Sequence, residues 1–155
     1  MNSTAQLAKH FREVYYGGNW TWSNLKDQLA DITWEEATTK IDSFNTIAAL
    51  TYHIDYFVVA INNVLKGTPL NSKDELSFDH PPINSKEDWE KLLRSVWENA
   101  DAFVKLVEQL PDSKLEEIFV HEKYGIYYRN LLGLIEHTHY HLGQIAIIKK
   151  LVRNQ

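Results

Sequence analysis

From Asn45 to Lys66 the chain carries no glycine or proline, and Ile47, Leu50, Ile54, Phe57, Ile61, Val64 and Leu65 return at helical spacing until Gly67 and Pro69 close the run. A segment of that length and period reads as a long amphipathic helix. Three others repeat the pattern. Leu7, Phe11, Val14 and Tyr15 form a stripe that Gly17-Gly18 ends, and Ser85 opens a run from Trp89 through Val96, Phe103 and Val107 to Leu110-Pro111. The last begins at Arg129 and continues to about Val152. Shorter helical patterns cover Ser23 to about Ala30 and the capping-box sequence Thr33-Trp34-Glu35-Glu36. Residues 119–128, mixed around Gly125, fit an extended or an irregular segment equally well. Four long helices and few strand candidates predict an all-α four-helix bundle.

The connection after the second long helix, residues 68–84, holds Pro69, Pro81, Pro82 and several Ser, Asn and Asp. Antiparallel neighbours need only a short loop, so this length predicts a crossover that lets helices two and three run in the same direction. With 155 residues, 44% of them hydrophobic, one core and a single domain over residues 1–155 are expected. The 21 acidic residues outweigh the 16 basic ones, no basic block stands out, and nucleic acid and anionic membrane are therefore not expected as partners. The start of the chain, Met1 to His10, lacks a basic, apolar leader, and a cytoplasmic protein is expected. No cysteine is present, which removes disulfides, thiolate metal ligands and a Cys nucleophile together. Any thiol chemistry requires a thiol from another molecule.

Seven histidines invite a search for a metal site. His10, His80 and His121 read as solvated or loop residues. His53 shares the sector of Leu50, Phe57, Ile61 and Val64, the side of its helix that faces a core. His137 and His141 lie four apart, about 40° around the helix, in the sector of Leu134, Ile145 and Ile148. His139 points elsewhere. An i, i+4 pair of neutral imidazoles is a two-point chelate, and an inward His53 makes a third nitrogen ligand that leaves a position open for water or substrate. A di-iron carboxylate site needs Glu-x-x-His twice, and only Glu136-x-x-His139 matches.

With Leu50-x-x-His53, His137-x-x-x-His141-x-Gly143-Gln144, the helix-one ending Tyr16-Gly17-Gly18-Asn19-Trp20 and the long connection, nearly the whole chain resembles the DinB-like (DinB/YfiT) superfamily of bacterial four-helix proteins. The resemblance implies an up-down-down-up bundle and a three-histidine site for nickel, zinc or a similar divalent ion, with His53, His137 and His141 as ligands. It also implies that Gly143 allows close helix approach and that Gln144 supports a ligand from behind. Relatives of this kind are often transferases or isomerases using bacillithiol, mycothiol or glutathione, while others are metal-dependent hydrolases. A small-thiol-dependent transferase acting on a small-molecule substrate is therefore the leading expectation. Metal-dependent hydrolysis comes second, and a non-catalytic metal-binding or stress-response bundle third. Trp20, Trp22 and Tyr56 are expected to wall a pocket, with Tyr140 further out, and the aromatics near helix one also suit a homodimer.

Overall fold

A computed structural model describes residues 2–154. Six α-helices form: α1 (Ser3–Tyr16), α2 (Leu25–Leu29), α3 (Trp34–Thr38), α4 (Ile47–Leu65), α5 (Lys86–Glu108) and α6 (Tyr127–Arg153). Their starts follow local chemistry. The side chains of Asn2, Asn24, Thr46 and Ser85 each accept a hydrogen bond from an otherwise orphaned N–H of the first turn, and Thr33 with Glu36 completes a reciprocal capping box. Gly17, at φ 108°, ends α1 in a conformation that side-chain-bearing residues rarely adopt.

The four long helices surround one core. α4 packs on α5 and α6, and α1 packs on the same two helices from the other side. Phe11 and Phe103 meet with ring centroids 4.2 Å apart, and Leu50, Ile54, Leu131, Leu142 and Ile145 are buried with them. The inter-helix polar contacts mark the register. Asn99 Nδ2 of α5 donates to Asp55 of α4 at 3.0 Å, and Asn62 Nδ2 donates to the Asn99 carbonyl at 2.9 Å. Near the end of α1, Tyr16 Oη donates to Asp101 at 3.0 Å, whereas near its start Thr4 Oγ1 donates to the Leu110 carbonyl at 3.2 Å. α2 and α3 cover one end, where Trp89 Nε1 donates to the Ile32 carbonyl at 3.0 Å and Arg153 bonds Asp31 and Glu36.

Tyr56 anchors the start of the crossover between α4 and α5. Tyr56 Oη accepts from the Lys73 N–H at 2.8 Å and donates to its carbonyl at 3.0 Å, just before a single 3₁₀ turn at Asp74–Leu76. Residues 119–126 form a pinched loop, a 3₁₀ turn at Glu122–Tyr124 flanked by one antiparallel bridge, Ile118 to Ile126, while Tyr127 and Tyr128 already belong to α6. Both of the expected descriptions apply to parts of the loop. No helix among the described residues is long and apolar enough to cross a membrane.

Candidate metal centre

α4 delivers His53 and α6 delivers His137 and His141 to one point inside the bundle. One ligand nitrogen from each ring lies within 4.8 Å of the others. His53 Nε2 and His137 Nε2 face each other at 3.0 Å, and the ring centroids of the three pairs are 4.5–4.8 Å apart. Two nitrogens bound tetrahedrally at about 2.0–2.1 Å to one ion would be roughly 3.3 Å apart, so the cluster is already close to ligating dimensions.

The donor chemistry fits as well. His141 Nδ1 meets Gln144 Oε1 at 2.7 Å. An amide oxygen only accepts, which puts the imidazole proton on Nδ1 and leaves the Nε2 lone pair free. His53 and His137 have no such outer partner, because their Nδ1 atoms are buried without a hydrogen bond. Burial lowers the pKa of His53 to about 4, and His141 adds to the shift. The Ser77 backbone and the charge of Asp74 oppose the shift. Burial, then His141 and His53, lowers His137 to about 4, and burial lowers His141 against the opposing hydrogen bond of Gln144. All three rings are therefore neutral near pH 7, the state in which imidazole ligates a metal.

These shifts have a consequence for the metal-free chain. Between about pH 6.5 and 4 the unfolded chain binds protons that folded His53 and His137 refuse, so the fold loses stability as pH falls through that window and the loss levels off below it. Asp55, raised by burial from 3.8 to about 6, acts in the opposite sense, but one carboxyl opposes two imidazoles. Urea unfolding after chelation is expected to show a lower midpoint at about pH 5 than at about pH 7; a midpoint that rises on acidification contradicts the burial of the pair.

Gln144 is the testable outer partner. Gln144→Ala is expected to weaken zinc or nickel binding about 10–100-fold, and Gln144→Glu to restore it, both read by calorimetric titration. Equal affinities for all three chains would remove Gln144 from the site.

Other expected residues fare differently. Gly143 is exposed, and a Cβ there would meet nothing within 4 Å, so no close helix approach depends on it. Trp20 and Trp22 are 99% and 94% exposed and wall no pocket. Their loop is held by Asn19, which donates to the Glu13 and Ser23 carbonyls at 2.8 Å and accepts from Thr21, and this fixes both indoles outward. Tyr56 spends its hydroxyl on Lys73 of the crossover. Tyr140, two-thirds exposed, sits 4.9 Å from the His141 ring. His139 points away from the cluster, but toward α1 rather than solvent: its ring lies 6.0 Å from His10 and its Nε2 is buried. His10 and His121 are exposed, while His80 is half-buried against Tyr52.

Two phenylalanines complete the centre without having been expected there. Phe78, from the crossover, stacks on His53 at 3.9 Å with 7° between the planes. Phe57 sets its edge against His53 and His137 at 5.1 and 5.0 Å. Phe57 was legible as the residue one turn beyond His53, whereas Phe78 carries no periodic signal. Beside His137, a cavity of about 250 Å³ is lined by Phe57, Ile61, Leu134, Arg129 and Asn130. A larger cleft of about 610 Å³ near α2 and α3 is lined by no histidine.

A family model described as the DinB superfamily matches residues 19–145, a span that contains all three clustered histidines. No curated protein and no solved structure matches the chain. With four-fifths of its residues under that one model and an all-helical architecture around a three-histidine cluster consistent with a metal site, the chain belongs to the DinB superfamily.

Proposed function

We propose that this protein is a divalent-metal-dependent enzyme in which His53, His137 and His141 hold nickel or zinc, and that it transfers a small thiol of the bacillithiol, mycothiol or glutathione type to an electrophile. The observation that carries the metal part is the convergence of three neutral imidazoles, one of them oriented from behind by Gln144. Membership of the DinB superfamily supports it. When bound, such an ion supplies Lewis acidity that favours the anionic form of a thiol.

The chain's own residues do the rest. Gln144 keeps the His141 lone pair directed inward. Phe57 and Phe78 shield two of the imidazoles from water, and the cavity beside His137 has room for a small substrate body. With no cysteine in the chain, the sulfur nucleophile is a cosubstrate's. Hydrolysis is the weaker reading, because among the described residues no carboxylate joins the three histidines to serve as a base: Asp55 is turned to α5, Glu136 is exposed, and Asp74 of the crossover acts on His53 through its charge. An up-down-down-up course of the long helices belongs to the same proposal, supported by the register contacts of α4 with α5 and of α1 with α5. The exposed indoles support a homodimer, and the protein is proposed to act in the cytoplasm.

The test is metal analysis of untagged protein followed by a screen of low-molecular-weight thiols with monochlorobimane. Metal-dependent consumption of both, abolished by chelation, is expected. Thiol-independent turnover of esters or amides would instead make it a hydrolase, and firm metal binding without turnover a non-catalytic metal protein.

A further inference from the structure

Asp55 follows His53 by two residues on α4 and so faces the other way, toward α5. It lines a second cavity, of about 250 Å³, formed by α4, α5 and the end of the crossover. Tyr52, Pro81, Ile83 and Leu92 give this cavity apolar walls. Asp55 itself is only 6% exposed. Its oxygens accept hydrogen bonds from neutral donors alone, Asn99 Nδ2 at 3.0 and 3.1 Å and Ser95 Oγ at 3.4 Å. No ion pair among the described residues includes it, although Lys91 lines the same cavity.

A buried carboxylate without a cation is an expensive feature to keep in a helix interface, where an apolar or amide side chain packs at lower cost. What the arrangement lacks is a cation in contact with Asp55, since Lys91 makes no ion pair with it. His80 also lines the cavity, and its Nδ1 is committed to the Pro81 carbonyl at 2.8 Å, which leaves Nε2 as a second acceptor. Asp88, on the same lining, adds negative charge and makes an anionic ligand the poorer match. We propose that this cavity binds a small protonated amine, with its ammonium on Asp55 and a compact apolar body against Tyr52, Pro81 and Leu92. The site lies on the opposite face of α4 from the histidines and does not depend on the metal reading.

The probes are benzylamine and its neutral counterpart benzyl alcohol, titrated calorimetrically into the full chain at about pH 8, where an alkylamine is still protonated and a carboxyl ionised. Zinc-loaded and chelator-treated protein are both used, the second because an amine can also ligate an ion. The amine is expected to bind at least about tenfold more tightly than the alcohol in both preparations, the margin of a charge-assisted hydrogen bond. Asp55→Asn, which keeps the shape and one of the two acceptor oxygens, is expected to erase that margin. Lys91→Glu, at an exposed position, is expected to tighten amine binding about twofold and keeps the test valid if Asp55→Asn folds poorly. The proposal is overturned if amine and alcohol bind alike, if neither binds, or if the amine binds only to zinc-loaded protein.

Discussion

Replacing His137 with alanine is expected to abolish stoichiometric binding of nickel or zinc, as are His53→Ala and His141→Ala. The expected loss exceeds the roughly 10–100-fold that follows from removing an outer hydrogen-bond partner, because a ligand itself is lost and only two of three converging nitrogens remain. His139→Ala is the internal control. It lies between His137 and His141 in sequence, yet its ring turns toward His10 of α1, so metal content should not change. A second readout separates ligation from folding. A ligand present at about 100 times its dissociation constant stabilises the native state by about 2.7 kcal/mol, so zinc should raise the unfolding midpoint of the unaltered chain and leave that of His137→Ala where it was. Without metal, His137→Ala loses the contact of Nε2 with His53 at 3.0 Å and the packing against Phe57 as well as an unpartnered Nδ1, so the zinc-induced shift is read against the variant's own metal-free midpoint. Undiminished zinc binding by any one of the three variants would show that its imidazole is not a ligand.

The centre was legible in the sequence to the extent that helical geometry decides it. Once α4 and α6 are recognised by their apolar period, the inward direction of His53, His137 and His141 follows from residue spacing alone. Helix ends were legible within a residue or two because Thr46, Ser85 and Gly17 act on their own neighbours. What could not be read depends on contacts distant in sequence. Phe78 reaches His53 because Tyr56 pins Lys73 and so sets the path of the crossover. Trp20 and Trp22 suggested a pocket by their hydrophobicity, but the hydrogen bonds of Asn19 determine the loop and turn both rings to solvent. The close helix approach that the resemblance implied at Gly143 is not made, since a Cβ there would meet nothing within 4 Å.

Phe11→Ala is expected to have the largest effect on the fold, a loss of about 3–5 kcal/mol in urea or thermal unfolding. Phe11 is fully buried and lies against Tyr15 at 4.4 Å and Phe103 at 4.2 Å, which makes it the point at which α1 is packed onto α5. Removing the ring takes away both its transfer free energy and its contacts, and helices joined on several sides cannot collapse to fill the space. Against a total stability of about 5–15 kcal/mol for a domain, the loss is a large fraction, worth roughly 10 °C in melting temperature for a chain of this size. Phe11→Leu keeps most of the volume while losing the aromatic pairing, and should cost only about 1 kcal/mol. The histidines are carried by α4 and α6, so folded Phe11→Ala should still bind zinc while melting at lower temperature. If its zinc affinity falls in proportion to its stability, the packing of α1 is part of what brings the two ligand-bearing helices together; if only the stability falls, α4 and α6 hold the cluster by their own contact.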